Sequence, residues 1–599
     1  MRWNFRQADA ERVRVVSDGL AACSGCDKNP ELRQVLAKLL VVRGIDSAEA
    51  ALRFLSPSIA QLHSPYLMTG LCSAVERISA AIKRREGILV YGDYDVDGTT
   101  AVVILKTAIE LCGGAPDFHV PHRIREGYDL RGDVIERAAA AGIRLVISVD
   151  AGTRAFAAAD SAARAGVDLI ITDHHLPGPD GLPRAFAVVN PNQPGCEYPC
   201  KSLCGAGIAF KVAQALMEKH LAHRDQQSLL LSFMKVAAIA TIADSVPLVG
   251  ENRVIASLGL NALRSAVNPG LKALLEVAQL GGKPLSSGEI AFRVAPRINA
   301  AGRMDIARDV VELFSVKDPA MAREIALRLD KLNGERQEEE RRILQAIEQR
   351  LDENAALRDA FCMVIDGDGW HRGVIGITAT RVVERYGRPA LVLSREGEEA
   401  HGSGRSISGF HLLNALESCA PLFTRFGGHA YAVGFSLPCS RVSELQAQMD
   451  AYARSRLTLA DFEPIVNIDA ELPLDAVTPG LFAGLQRMEP FGAGNPEPVF
   501  YAPGARLLAP PKILKDLHAK LKFAPGHAAG NGWRRSLTHS AMAWRMAQRI
   551  TQDRILAGDL LDLAFTLDRN EHPEFGGIEL SLRDYRLAGG AGAAESARA

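Results

Sequence analysis

Short apolar runs that end at once in acidic side chains recur along the first third of the chain, and this pattern restricts the fold more than any other feature. GILVY, residues 87–91, leads into GDYDVDGTT with Asp93, Asp95 and Asp97; RLVISVD closes on Asp150; DLIITDHH closes on Asp173, His174 and His175. Helical stretches are predicted at 99–111, at 132–141 and before the third run. Strands alternating with helices of about ten or more residues predict a parallel α/β sheet, which presents ligand groups at the carboxyl ends of its strands. Further on, KVAAIATIADSVPL reads as a buried helix or strand running into Asp244. These carboxylates and imidazoles are expected to share one rim.

The first acidic loop is not a calcium-binding EF-hand. A loop starting at Asp93 has Gly98 at its sixth position but Ile104, not glutamate, at its twelfth, and a strand rather than a helix precedes it. Divalent ions that assist phosphoester cleavage are held by hard oxygen ligands with imidazole, and Asp95, Asp97, Asp150, His174, His175 and Asp244 supply that set. Four carboxylates gathered at one rim would repel one another unless cations neutralised them. Each motif alone has a plainer reading: a polar turn for DxDxDG, a surface or core pair for HH, a helix cap for Asp244. Their succession after predicted strands points to metal.

With 599 residues the chain exceeds a single core, and about three to five domains are expected. The 69 Lys+Arg against 70 Asp+Glu give no overall basic field, although a local basic groove can coexist with an acidic centre. The ten cysteines are sparse, and the pairs Cys23/Cys26 and the series Cys196, Cys200, Cys204 lack a nearby fourth ligand, so they are taken as ordinary thiols of a reducing compartment. MRWNFRQADAERVR lacks the apolar core of a signal peptide, and no uncharged apolar run of about 18 residues follows. A cytoplasmic protein with no membrane partner is expected.

Residues 318–353 predict one helix of about 50 Å, with Leu329, Leu332, Ile343, Leu344, Ile347 and Leu351 at helical spacing, Gly334 a possible irregularity, and the charge run a solvated face. A second α/β unit begins at FCMVIDGDGWHRGVIGITATRVVERY and ends near GGHAYAVGFSL. Beyond Ile465, short strand-like runs broken by proline and glycine predict a small β barrel, with Lys515, Lys520, Lys522, Trp533, Arg534 and Arg535 available to grip a strand of nucleic acid. No internal repeat is evident.

GDYDVDGTT, SVDAGT, TDHH and ATIADSVPLVGENR resemble the four motifs of the DHH phosphoesterases. The resemblance is closest to the RecJ family of bacterial single-strand-specific exonucleases, and it continues through RVAPRINAAGRM, WHRGVIGITATRVVERYGRPALVL, GSGRSISGF, FGGHAYAVG and PFGAGNPEPVF. It implies an α/β architecture: a parallel-sheet DHH domain, a long helix, a DHH-associated α/β domain and an OB-type barrel. The expected bounds are 1–70 for an N-terminal segment, then 71–315, 316–355, 356–455, 456–587 and a disordered tail at 588–599. It implies hydrolysis of single-stranded DNA to mononucleotides, 5′→3′, with two Mn2+ or Mg2+ ions, in recombination and repair, beside a single-strand-binding protein and a helicase.

By motif match, the six residues above correspond to the family's metal ligands. Arg123, Arg303, Ser403, Arg405 and His429 correspond to its phosphate-handling groups, since arginine binds phosphate bidentately and keeps its charge. Asp93, Asp97, His175 and His429 are the implied catalytic residues, with Asp93 left as a ligand, a neighbour of the ligands or a proton carrier. Tyr91 stands where many relatives carry histidine. Relatives that cleave short oligoribonucleotides or pyrophosphate lack the barrel, and a non-enzymatic scaffold would be expected to lose ligands.

Overall fold

The structure is a computed structural model that describes residues 1–22, 29–123, 125–127, 129–304, 307–526, 538–570 and 576–588. The chain divides into two compact units, Leu62–Glu463 and a second one built from Met1–Gln61 with Pro464–Ala599.

In the first unit, five parallel strands lie in the order Pro116–His119, Gly87–Gly92, Ile143–Val149, Asp168–Thr172, Ala187–Val189. Val90 and Tyr91 of the second strand in that order, and Ile147 and Val149 of the third, are fully buried, as strands covered by helices on both faces must be. The chain leaves Gly87–Gly92 for one side of the sheet and returns to Ile143–Val149 on the other. The crevice at the carboxyl ends of these two strands is therefore a topological switch point, where open parallel sheets bind ligands. Asp244 reaches the rim by another route: KVAAIATIA belongs to the helix His223–Ala243, and Asp244 is its C-cap.

That helix also holds the one 18-residue window among the described residues apolar enough to cross a membrane, and half of the window is buried inside the protein. It packs against Gly250–Leu263, Val96–Leu111 and Gly205–His220, which marks it as a core helix.

The long helix runs unbroken over Pro319–Glu353, through Gly334, with Asp318 capping the Ala320 N–H at 3.0 Å. Ile325 and Leu329 are buried in its first half, which packs against Pro269–Val277 and Ala295–Met304. Its last turns bury Ile343, Ile347 and Leu351 in a core shared with Met363, Ile365, Trp370 and Val374. The helix is thus part of two cores. Its charge run is not a solvated face throughout: Asn333 and Arg336 are buried, Arg336 held by Asn333 at 3.1 Å and by Glu340 at 2.6 Å.

The sheet that follows has the order Arg425–Gly428, Ala432–Pro438, Glu399–Arg405, Ala390–Glu396, Met363–Asp368, with only the last pair parallel. Along Glu399–Arg405 burial alternates, so Ser403 and Arg405 share one face while Gly402 and Gly404 sit against Phe435 and Leu391 on the other.

In the second unit, Phe500–Leu507, Leu560–Asn570, Gly577–Leu587, His539–Ala543 and His518–Ala524 pair in a closed ring that returns to Phe500–Leu507. Closure removes the open edges that would otherwise invite pairing with other chains. The first residues do not form a segment of their own: the strand Arg2–Phe5 pairs parallel with Ile465–Ile468, and Leu32, Leu36 and Leu40 share one core with Phe500, Phe523 and Phe565. Trp3 is 8% exposed and donates from Nε1 to Asp584 at 2.6 Å, with Arg549 closing on the same carboxylate. Trp3→Ala is therefore expected to destabilise this unit by about 3 kcal/mol, read as a lower urea midpoint; an unchanged midpoint would mean that the N-terminal strand contributes nothing.

Candidate metal centre

The acidic loop after Gly87–Gly92 is shaped by two close approaches. A Cβ on Gly98 would lie 2.6 Å from the Asp93 backbone, and one on Gly302 would lie 2.2 Å from the Tyr94 carbonyl oxygen, so glycine at both positions lets the loop settle between two helices. Asp95 caps the helix Val96–Leu111 by accepting from the Gly98 N–H at 3.0 Å. Asp97, in the first turn of that helix, has both carboxylate oxygens held by the N-terminus of Gly205–His220, from Gly205 N at 2.6 Å and Ala206 N at 2.8 Å. A helix N-terminus stabilises an anion in this way without a charged side chain.

Asp150 closes the neighbouring strand with φ of 59°, a left-handed conformation strained for a non-glycine residue. Its carboxylate lies against Gly205, where a Cβ would stand 2.5 Å from that of Asp150. His174 Nε2 stands 3.2 Å from Asp150 Oδ1 and 3.8 Å from Asp97 Oδ2. Three groups of potential ligand atoms each lie within 4.8 Å of one another: Asp150, His174, His175; Asp97, His174, Asp244; and Asp93, Asp95, Asp150. All six residues expected as ligands, with Asp93, thus come together at the switch point.

The electrostatics match a cation site. Burial, then the charge of Asp97, Asp95 and Asp93, pushes Asp150 well above the carboxylate range; burial and Asp95 do the same to Asp93. Asp244 is pushed up to about 8 by burial and by Asp97 and Asp95. Asp93 Oδ1 and Asp150 Oδ1 are buried without a hydrogen-bond donor, which leaves lone pairs directed into the cluster. Such oxygens beside imidazole suit Mg2+ or Mn2+.

Asp173, named in the sequence only as the end of its strand, organises the histidines. Its Oδ1 accepts from the His174 N–H at 2.8 Å and from His175 Nδ1 at 2.7 Å, while Oδ2 accepts from Thr153 N at 2.9 Å. Burial alone would lower the His175 pKa, but the hydrogen bond and charge of Asp173, with Asp244 and Asp97, raise it to about 9. A divalent ion would take the place of the Nε2 proton. The missed signal was an acid adjoining two histidines, the pairing that fixes a ligand's tautomer.

A second, cationic cluster stands in the same unit. Burial and then the charge of Arg123 lower Arg303, against the pull of Asp95; Arg336 and Arg405 act in the same direction as Arg123, and Arg303 comes down to about 9, still cationic at neutral pH. Arg123 also lies over the Tyr94 ring, 5.0 Å from its centroid. Arg405 Nη1 donates to Ser403 Oγ at 3.2 Å, and both face the start of the helix Ile375–Tyr386, where a Cβ on Gly376 would be 3.0 Å from Ser403 Oγ. Arg336 was not foreseen, although it falls on the stripe of Leu329, Asn333, Ile343 and Ile347, where a charge must find partners. His429 is exposed on the hairpin that pairs with the Ser403–Arg405 strand, and its ring makes no hydrogen bond or ion pair among the described residues.

Cys196 and Cys204 are buried free thiols, and no cysteine among the described residues joins a metal-ligand cluster. Cys23 and Cys26, like Trp533, Arg534, Arg535 and the tail, lie outside the described residues.

A parallel sheet bearing this carboxylate and histidine set, joined by a helix to a second α/β domain that carries arginines, defines the DHH class of phosphoesterases. The DHH family N-terminal domain matches residues 87–241, the DHHA1 domain residues 359–455 and the RecJ OB domain residues 468–584. The single-stranded-DNA-specific exonuclease RecJ of Bacillus subtilis is 37% identical over 83% of this chain and 61% of its own length, and that of Dickeya dadantii 35% identical over 82% and 87%. Crystal structures of Thermus thermophilus RecJ with Mn2+ and with Mg2+ superpose with TM-scores of 0.79 and 0.73 at 28% identity, covering 98% of this chain and 79% and 78% of theirs. The chain belongs to the RecJ family.

Two outcomes test the centre. Asp173→Ala, which releases His175, is expected to weaken Mn2+ binding by about 10- to 100-fold, measured calorimetrically; unchanged affinity would remove Asp173 from the site. Without metal, the folded Asp244 pKa exceeds that of an unfolded aspartate, so its stabilisation is full below 3.8 and is lost as pH rises through about 8. Melting in EDTA should show this fall for the first unit, and Mn2+ should abolish it.

Proposed function

We propose that the chain is a cytoplasmic 5′→3′ exonuclease that hydrolyses single-stranded DNA to mononucleotides, with two divalent ions, Mn2+ or Mg2+, held by Asp95, Asp97, Asp150, His174, His175 and Asp244. The observation that carries this reading is the meeting of opposite charges in one unit: Arg303 interacts electrostatically both with Asp95 of the metal cluster and with Arg123 and Arg405 of the cationic one. A phosphodiester needs both, a cation site at the bond to be cut and fixed guanidiniums on the flanking phosphate.

Bound ions supply Lewis-acid charge to the scissile phosphate and make water a stronger acid. The chain's own residues do the rest. Asp97, gripped by two backbone N–H groups, and His175, gripped by Asp173, hold their orientation in a buried site, so little reorganisation accompanies the reaction. Ser403 and Arg405, beside the start of a helix, clamp a terminal 5′-phosphate, and that clamp sets polarity and a one-nucleotide product. His429, on the adjoining hairpin, and Arg123 contact the phosphates that flank the cut. Asp93, buried in the same loop as Asp95 and Asp97, serves as ligand or proton carrier.

Lys515, Lys520 and Lys522 of the barrel hold the strand electrostatically. A single-strand-binding protein and a helicase would present such substrates during recombination and repair.

An oligonucleotide labelled at either end, prepared as DNA and as RNA, tests the reading. With Mn2+, labelled mononucleotide should appear first from the 5′ end of DNA, with blunt duplex spared; endonucleolytic products, or no digestion at any metal concentration, would overturn it. His175→Ala is expected to lower turnover by more than about 100-fold and to leave strand binding within a few-fold. Near-normal turnover would refute the ligand assignment.

A further inference from the structure

The turn between the strand Met363–Asp368 and the helix Ile375–Tyr386 holds a histidine that neither cluster accounts for. His371 is half-buried, and its Nδ1 accepts from the Gly373 N–H at 3.1 Å. The carbonyl of the same glycine accepts from Arg303 Nη1 at 3.0 Å. A Cβ at residue 373 would stand 2.4 Å from the Arg303 carbonyl oxygen and 3.0 Å from His371 Cε1, so glycine lets the turn fit between them.

A backbone N–H can only donate, so Nδ1 is the unprotonated nitrogen and the neutral ring carries its proton on Nε2. Burial, aided by the Arg123 charge, favours that neutral ring against Glu339 and Glu396. The His371 N–H donates to Glu339 Oε1 at 3.1 Å, and Arg342, paired with Glu339 at 2.7 Å, donates to the Gly369 carbonyl at 2.9 Å. From the sheet side, Ser394 Oγ donates to the Trp370 carbonyl at 2.5 Å. The turn is thereby fastened to the long helix and to the second sheet, and His371 and Arg303 grip Gly373 from either side.

We propose that His371 is a positioning residue for phosphate recognition: by clamping Gly373 it holds the Arg303 guanidinium in the orientation that receives, with Ser403 and Arg405, the terminal 5′-phosphate. This rests on the reading of Arg303 as a phosphate ligand. His371 touches no reacting atom; it acts through the two backbone groups of Gly373 on a side chain contributed by the other domain of the same unit. Asparagine carries an acceptor oxygen at the same remove from Cα as His Nδ1, so it can replace the hydrogen bond that alanine removes.

The test uses the full chain, with melting curves to establish that variants are folded. In EDTA, fluorescence anisotropy compares 3′-labelled single-stranded DNA bearing a 5′-phosphate or a 5′-hydroxyl. His371→Ala is expected to weaken binding of the phosphorylated strand about tenfold, the loss typical of a hydrogen bond to a charged group. The hydroxyl strand should stay within about twofold, and His371→Asn within about threefold of the parent on both. With Mn2+, His371→Ala should raise KM on the phosphorylated strand and leave kcat unchanged. Equal losses on both strands, or an Asn variant as weak as the Ala variant, would overturn the proposal. If the parent distinguishes the two ends but hydrolyses neither, the exonuclease reading fails while the His371 comparison still decides; if it binds both ends equally, the role of Arg303 falls and this proposal with it.

Discussion

Carboxylates crowd one buried rim, and their mutual repulsion is the constraint that the rest of the first unit answers. The pKa values of Asp93, Asp95, Asp150 and Asp244 are all raised, first by burial and then by a neighbouring carboxylate, Asp95 for the first of them and chiefly Asp97 for the other three. Left alone, such a cluster would force the loops apart. The fold opposes this with the N-terminus of Gly205–His220 on Asp97, with Asp173 and His175 as a bonded pair, and with carboxylate oxygens left for cations where no donor reaches. Gly98 and Gly205 make room for these approaches, and Asp150 accepts a left-handed backbone to join them.

The arginines pose the converse problem. Arg123, Arg303, Arg336 and Arg405 come from different parts of the chain and lie close enough to lower Arg303 together with its burial. One of them, Arg336, is neutralised by Glu340 within the long helix. The others retain charge that suits an anion. Because the long helix belongs to the cores of both domains, the spacing between the acidic rim and the arginines is set by packing rather than by a flexible linker.

Much of this was legible in the sequence. The alternation of strands and helices, the acidic strand ends and the long helix all follow from local periodicity, which is where sequence reasoning is strongest. The six metal-ligand candidates were readable because each ends a run of buried residues or adjoins one. Asp244 was legible as a residue, with helix and strand both open before it, since KVAAIATIA is almost wholly apolar after its lysine and has no period to separate the two. Asp173, Arg336 and His371 were passed over although their partners lie within four residues, His175, Asn333 with Glu340, and Gly373: pattern alone does not record which side chain turns toward which neighbour.

The sequence by itself therefore determined the chemistry available to the chain: hard oxygen ligands with imidazole, arginines for phosphate, and a parallel sheet to carry the first set. Tertiary structure decided which of these meet. It brought the strand after residue 140 back beside the one after residue 86, so that a switch point formed, and it joined the first 61 residues to the barrel instead of leaving them a segment apart. It also buried Arg336 within a run of charges that reads as solvent-facing. The physical reason is that secondary structure follows from contacts a few residues apart. The meeting of charges follows from close packing over hundreds of residues, which no local pattern encodes.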